Sequence, residues 1–413
     1  MTGVDPAQRP EDTERAQPDL GRIGRAGEVL LVAGRLGVTS FGGPIAHIGY
    51  FRAEYVSRRR WLSEEEFADL VGLCQFLPGP ASSQLGIAIG MLRAGLLGGL
   101  AAWFAFTAPS AVAMIALADV IRGHDVTAAG WVHGLKLVAV AVVAQAVWSM
   151  WRTLAPDRAR STLAVLAAIT ALLWTAPFAQ VVVIATGGII GWRLLAAPAT
   201  TTRRARLDFG VSRPAGIVAL SLFAALLLAL PIARQATQSH TVALTDSFYR
   251  SGALVFGGGH VVLPLLESQV VPPGWVSQQD FLAGYGAAQA VPGPLFTFAA
   301  YLGAVERPSP NGVTGGTIAL LAIFLPAFLL VLGTLPFWSG LRRRASFLTA
   351  LAGINAAVVG LLLAALYRPV FTSAVNTPRD FAVVVAALGA LMLVRLPPWA
   401  VVLGCALAGQ FLL

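Results

Sequence analysis

One block of this chain occurs twice. Ser40–Pro80, SFGGPIAHIGYFRAEYVSRRRWLSEEEFADLVGLCQFLPGP, matches Val255–Pro294, VFGGGHVVLPLLESQVVPPGWVSQQDFLAGYGAAQAVPGP. Phe41-Gly42-Gly43 pairs with Phe256-Gly257-Gly258, Trp61 with Trp275, Ser63 with Ser277, Phe67 with Phe281, Gln75 with Gln289 and Pro78-Gly79-Pro80 with Pro292-Gly293-Pro294. Beyond the block, Gly98-Gly99 pairs with Gly315-Gly316, Pro109 with Pro326 and Gly134 with Gly353. Both halves must therefore make the same turns in the same order. We read a first repeat at 25–196 and a second at 245–413. Residues 197–244 join them as a basic linker, Pro198–Pro214, plus one extra apolar run, Ile217–Leu230. Residues 1–24 are polar and Pro-containing, with no apolar signal core, and read as a disordered cytoplasmic tail.

The repeats belong in a bilayer. Hydrophobic residues make up 56% of the chain and charged ones 12%, against about 25% in soluble domains. Runs such as Leu135–Met150, Gly315–Leu335 and Leu351–Leu366 are continuous rather than alternating, which selects helices over barrel strands. The expected fold is an all-α polytopic membrane protein with about thirteen apolar segments, several of them re-entrant. The net charge of +9 comes almost entirely from arginine in short loops, which fits membrane orientation better than nucleic acid. Cys74 and Cys405 both sit in apolar contexts and read as small hydrophobes.

Loop charges indicate how the halves are related. The first repeat carries Arg52, Arg58, Arg59 and Arg60 where the second, at Ser268–Pro273, has no basic residue. Arg342, Arg343 and Arg344 correspond to Ile121–Trp131, which has one arginine. Equivalent loops on opposite sides would differ in this way. One extra helix between repeats of even crossing number turns the second upside down, so an inverted repeat is expected. A parallel repeat would leave the asymmetries accidental.

A spanning helix needs roughly 20 apolar residues. Four segments per repeat are shorter and end at Gly or Pro: in the first, Glu28–Phe41, Ile45–Val56, Glu65–Leu77 and Ala81–Leu92. Irregular backbone at membrane depth is tolerated where it lines protein or a wet cavity, and matched interruptions in two halves point to a transport site. A plain surface loop would explain one Pro-Gly-Pro; two copies, each preceded by glutamine, favour the site. Pro44 and Pro80 suit the first position of a following helix. Such starts concentrate N–H donors and positive potential, and Ser82, Ser83 and Gln84 add side-chain donors. The candidate substrate-binding residues are Arg35, Phe41, Gly42, Gly43, Pro44, Gln75, Pro78, Gly79, Pro80, Ser82, Ser83, Gln84, Phe256, Gly257, Gly258, Gln289, Pro292, Gly293 and Pro294. The second repeat has Leu295 and Phe296 where the first has Ala81 and Ser82, so substrate is expected to lean toward the first.

His47 and Glu54, like His260 and Glu267, stand seven residues apart, on one face if the helix is continuous. They are candidates for proton coupling. The equal alternative is an interfacial histidine and a glutamate held by neighbouring arginines. Lys136 is either a buried cation or, slightly favoured, a lysine snorkelling to the interface. Trp61 and Trp275 read as interfacial anchors. A Walker A motif, HExxH, a Cys/His cluster and a nucleophile elbow are all missing from the sequence. The reading is a transporter rather than an enzyme, with no cofactor and no metal.

The paired Phe-Gly-Gly and Pro-Gly-Pro elements, with RRRWL and CQFLPGPASSQLGIAIG, resemble the chromate ion transporter (CHR) family in its long-chain, two-repeat form. The resemblance spans roughly 25–413 and is most specific in the first part of each repeat. It implies a bacterial inner-membrane protein that exports chromate and confers chromate resistance, with sulfate as the structural analogue. His47, Glu54, Trp61, Gln84, Glu267 and Trp275 fall on its motif positions with the turns. Expected partners are chromate or sulfate and the lipid bilayer, with a homodimer as one compatible assembly. Two other readings are a carrier of sulfate or another oxyanion and, in a different class, an anion channel.

Overall fold

The computed structural model describes residues 21–41, 43–123, 130–174, 179–195, 210–256, 261–338 and 344–412. Every regular element among them is helical. Among the described residues, five helices are long and apolar enough to cross a membrane: Ala81–Arg122, Gly130–Leu154, Arg213–Ala236, Gly312–Phe337 and Ala345–Ala374. The molecule is a two-repeat, multi-pass membrane protein built around broken helices.

In the first repeat, α1 (Arg22–Thr39) stops at the Phe-Gly-Gly turn, and α2 (Gly43–Phe51) runs on as a π-helix, Arg52–Arg58. The next helix, α3 (Glu64–Phe76), starts at a Ser63 capping box closed by Glu66, with three glutamates in its first turn. It ends at Pro78-Gly79-Pro80, and α4 (Ala81–Gly123) follows. This helix is two limbs. Ala94 and Gly95 leave helical geometry, Gly95 with φ 66°, and the chain folds back on itself. The limbs touch backbone to backbone, since a Cβ on Gly98 would stand 2.1 Å from the Gly90 carbonyl oxygen. Then α5 (Gly130–Leu154), α6 (Arg158–Leu173) and α7 (Ala179–Leu194) complete the repeat.

The extra helix, α8 (Arg213–Ala236), is mostly exposed and packs on the second repeat. That repeat repeats the plan: α9 (His240–Leu254), α10 (Val262–Val270), α11 (Gln278–Ala288), α12 (Phe298–Val305), α13 (Gly312–Thr334), α14 (Ala345–Ala365), α15 (Pro378–Gly389) and α16 (Pro398–Leu412). A Cβ on Gly315 would lie 2.1 Å from the Gly303 carbonyl oxygen, the counterpart of the Gly90–Gly98 contact. Gly37 of α1 meets the Ala105 and Phe106 carbonyls of α4; Gly252 of α9 meets the Ile323 carbonyl of α13. Small residues at such crossings let backbones close, which is how membrane helices pack without a hydrophobic drive.

The C-terminal parts are exchanged. α5 packs on α15 and α16 of the second repeat, while α14 packs on α6 and α7 of the first. Here too the glycines match: Gly134 faces the Cys405 carbonyl and Gly409, and Gly353 faces the Gly187 carbonyl and Gly191.

Two tryptophan clusters mark opposite faces. At the face where α1 begins, Arg59 and Arg93 lie over Trp61 at 5.5 and 5.2 Å, and both pair with Glu28 at 2.9 Å. At Trp275 of the second repeat, Arg234 of the extra helix lies over the ring at 5.5 Å, beside a 3.0 Å His240–Glu306 contact. The second limb of α4 leaves the Trp61 cluster and ends where Arg122 donates to the Ala304 carbonyl at 3.2 Å, next to Glu306. Running from Leu96 to Gly123, it separates the clusters by about 40 Å at 1.5 Å per residue. Each tryptophan is engaged by arginines through cation–π contacts, and Trp275 is buried rather than a bare interfacial ring. A repeat whose equivalent cluster sits at the opposite face is an inverted one.

Some expectations need adjusting. Residues 1–20 of the expected tail lie outside the described residues, and Arg22–Gly24 are helical, because α1 extends below its apolar stretch. Pro80 precedes its helix and its carbonyl accepts the first bond, from Gln84 N–H at 2.9 Å, so it caps rather than opens α4. Pro44 stands second, after Gly43, which has φ 76°.

Candidate substrate site at the crossed turns

The broken segments of the two repeats meet and exchange hydrogen bonds. Gly79 N–H donates to the Val255 carbonyl at 2.7 Å, and Gly293 N–H donates to the Ser40 carbonyl at 2.9 Å. Ser40 and Val255 are equivalent positions, each just before its Phe-Gly turn. The Pro-Gly-Pro turn of one repeat thus closes on the Phe-Gly end of the other, and the reverse. Only glycine supplies the backbone: φ is 118° at Gly79 and 101° at Gly293. A Cβ on Gly293 would sit 2.8 Å from Ser110 Oγ and 3.2 Å from the Phe106 carbonyl; one on Gly79 would lie 3.6 Å from Ala327 Cβ of α13. Phe106 and Ser110 fall midway along the second limb of α4, so the crossing lies at the middle of the molecule's thickness.

His47, Ser40, Ser82, Ser83 and Gln84 are buried there. His47 Nε2 lies 3.2 Å from the Ser40 carbonyl, which can only accept, so the ring donates from Nε2. Its Nδ1 is 3.2 Å from Ser82 Oγ, and the neutral ring accepts from that hydroxyl. Gln84 Nε2 donates to the Pro78 carbonyl at 2.7 Å, bracing the turn from inside. The edge of Phe106 packs on the His47 ring at 5.3 Å.

Several buried polar atoms on these segments lack a hydrogen-bond partner among the described residues: Ser40 Oγ, Ser83 Oγ, Gln84 Oε1, Trp103 Nε1, Thr107 Oγ1 and Gln289 Nε2. An unpaired buried polar group costs about 1–3 kcal/mol. These atoms are three hydroxyls, an indole N–H, an amide nitrogen and an amide oxygen, all on segments at or next to the crossing.

Other sequence candidates fall elsewhere. Phe41, Pro44, Phe256 and Pro292 are partly buried, and Pro78, Pro80 and Pro294 frame the turns. Gly42, Gly257, Gly258 and His260 lie outside the described residues. Arg35 is exposed, because the buried side of α1 carries Val32, Ala33, Leu36 and Gly37 instead. Gln75 is exposed at the end of α3, unlike its counterpart Gln289. The seven-residue pairing of His47 with Glu54 is not kept. It assumes a continuous α-helix, and the π-helix from Arg52 rotates Glu54 away. Glu54 accepts from Arg59 at 2.8 Å and Arg58 at 3.1 Å. Burial pushes its carboxyl up, but these arginines outweigh that and hold it below its ordinary value. Glu267 is half-buried on α10. Lys136 does not snorkel: it is buried in α5, with Asp280 and Asp380 as neighbouring charges.

Sequence reasoning missed Ser40, Trp103 and Thr107, since lone polar residues in apolar helices carry no motif. It also missed Arg250, although a signal was available: Arg250 stands six residues before Phe256, as Arg35 stands before Phe41.

A family model described as "Chromate transporter" matches residues 27–192 and 242–410, one region per repeat. The chromate transport protein of Pseudomonas aeruginosa is 28% identical over 341 residues, covering 79% of this chain and 77% of its own. That of Cupriavidus metallidurans is 24% identical over 396 residues, covering 91% and 90%. An uncharacterised transporter of Methanocaldococcus jannaschii is 26% identical over 341 residues, covering 81% and 82%. No solved structure matches the chain. With both repeats matched, each around its crossed turn, the chain belongs to the chromate transporter family.

Proposed function

We propose that the chain is a secondary active transporter of a tetrahedral oxyanion, chromate, which it exports across a bacterial inner membrane and so confers chromate resistance. The observation that carries this reading is the set of unpartnered buried donors on the segments that cross at Gly79 and Gly293. Their hydroxyl, indole and amide groups suit a multiply accepting anion whose charge is met by hydrogen bonds rather than by a buried cation. Two relatives named as chromate transport proteins support the substrate. His47, at the crossing, is the group proposed to couple protons to the anion.

Loss of one donor to a charged ligand costs about 1.5–3 kcal/mol, so Ser83→Ala and Thr107→Val should each raise the half-saturating chromate concentration roughly 10- to 100-fold. Chromate uptake into inside-out vesicles measures this. Unchanged uptake in both variants would remove the site. Sulfate is also a tetrahedral dianion; if it competes with chromate at equal concentration, the substrate class is broader than chromate.

The N-terminal face carries the arginine-rich loops, with Arg58, Arg59, Arg60, Arg158, Arg160 and Arg395, and is proposed to be cytoplasmic. Both native cysteines are buried, which keeps background labelling low. A membrane-impermeant thiol reagent should label Ser57→Cys only in inside-out vesicles and Pro272→Cys only in intact cells. Labelling of both from one side would exclude the inverted arrangement.

A further inference from the structure

A second polar cavity opens toward the Trp275 face. Its volume is about 350 Å³, and Arg234, Arg250, Gln180, Ser251, Ser268 and Gln269 line it. The two guanidiniums share one buried carboxylate: Asp246 pairs with Arg234 at 3.3 Å and with Arg250. Within this trio two guanidiniums face one carboxylate. Arg250 Nε is buried and has no partner among the described residues. Arg234 is held by Ser247 Oγ at 3.1 Å and by the Trp275 face, so it cannot swing away without losing both. Leu254, one of its lining residues, precedes Val255, whose carbonyl takes the Gly79 N–H. The lining thus includes the sequence neighbour of a residue in the crossing.

We infer that this cavity is a second, weaker oxyanion site: an antechamber through which the transported anion passes between the crossing and the face opposite the N-terminus. The inference rests on the transport function proposed above. The guanidiniums of Arg234 and Arg250, which both line the cavity, supply the attraction and the N–H donors. The amides and hydroxyls of Gln180, Gln269, Ser251 and Ser268 keep the pocket wet, so the anion is held without full dehydration and can leave. The pseudo-two-fold relation of the repeats does not provide the same site in the first repeat. There the equivalent arginine, Arg35, is exposed, and position 31, equivalent to Asp246, is leucine. The two faces would thus present the anion with chemically different entrances.

The test leaves the Asp246 ion pairs untouched. Gln269→Glu puts a negative charge on the cavity wall, and chromate binding to the purified full chain is counted by equilibrium dialysis. Wild type should bind two chromates per chain, the weaker of which is weakened at least 10-fold in Gln269→Glu and retained in the Ser83→Ala/Thr107→Val double variant. One site in wild type, unaffected by Gln269→Glu but lost in the double variant, overturns the antechamber and leaves the central site standing. One site lost only in Gln269→Glu supports the cavity and overturns the central assignment. No binding in wild type overturns both.

Discussion

Gly293→Ala and Gly79→Ala should each abolish most chromate flux while the protein still reaches the membrane. At φ 101° and 118° a side chain is strained by about 1–3 kcal/mol before any contact is considered. Contact adds to this. At Gly293 the new Cβ would stand 2.8 Å from Ser110 Oγ and 3.2 Å from the Phe106 carbonyl. At Gly79 it would stand 2.9 Å from Gln84 Nε2, the amide that braces the same turn. Relief of either clash moves the turn off the opposite repeat and breaks a cross-repeat bond, Gly293 to Ser40 or Gly79 to Val255. A fall of at least 10-fold in vesicle uptake is expected. The effect should be larger at Gly293, where the obstruction includes α4 backbone rather than only a mobile amide. Melting the purified variants separates a misplaced turn from a collapsed fold. Flux within 2-fold of wild type in both would mean that the crossing is structural only.

These two glycines show how much the sequence disclosed. The repetition of Phe-Gly-Gly and Pro-Gly-Pro exposed the breaks, their pairing and the family, because backbone that departs from helix geometry needs Gly and Pro and so leaves a mark in one chain. What the turns touch left none. That Gly79 reaches Val255, rather than its own repeat's Ser40, depends on how the halves cross, and no local pattern encodes that. The neutral polar residues Ser83 and Gln84 were legible because they adjoin a motif; Trp103 and Thr107 were not, because one polar residue in an apolar helix looks like any other. Arg35 misled for a related reason. Its distance from the turn was right, but which way it faces depends on α1 packing through Gly34 and Gly37 against α4. Its counterpart Arg250, turned inward by Asp246, is the arginine with the cavity. The His47–Glu54 pairing failed on local geometry, a π-helix that residue spacing does not announce.

The same logic gives the second large effect, in which one added methyl should destabilise the fold far from the crossing. Gly134 and Gly353 are equivalent positions on α5 and α14, the helices each repeat lends to the other. A Cβ on Gly134 would lie 2.0 Å from the Cys405 carbonyl oxygen and 2.9 Å from Ala406 Cα; one on Gly353 would lie 2.1 Å from the Gly187 carbonyl oxygen and 2.6 Å from Gly191 Cα. The obstructing atoms are backbone, so the helices must part. Overpacking of this kind costs about 1–3 kcal/mol, and here it also forfeits the close backbone contact on which membrane helices rely. Gly134→Ala and Gly353→Ala should each lower the melting midpoint and the yield of monodisperse protein. Gly404→Ala is the control on α16, with nothing within 4 Å, and should hold or raise stability by about 0.5–1 kcal/mol, the usual helix preference of alanine. If Gly134→Ala melts like Gly404→Ala, α5 and α16 do not pack as described. If it melts lower, and Gly353→Ala with it, the exchanged helices clamp the two repeats together. Such a clamp keeps the N–H groups of Gly79 and Gly293 within reach of the opposite repeat, so oxyanion flux should fall with stability in both variants.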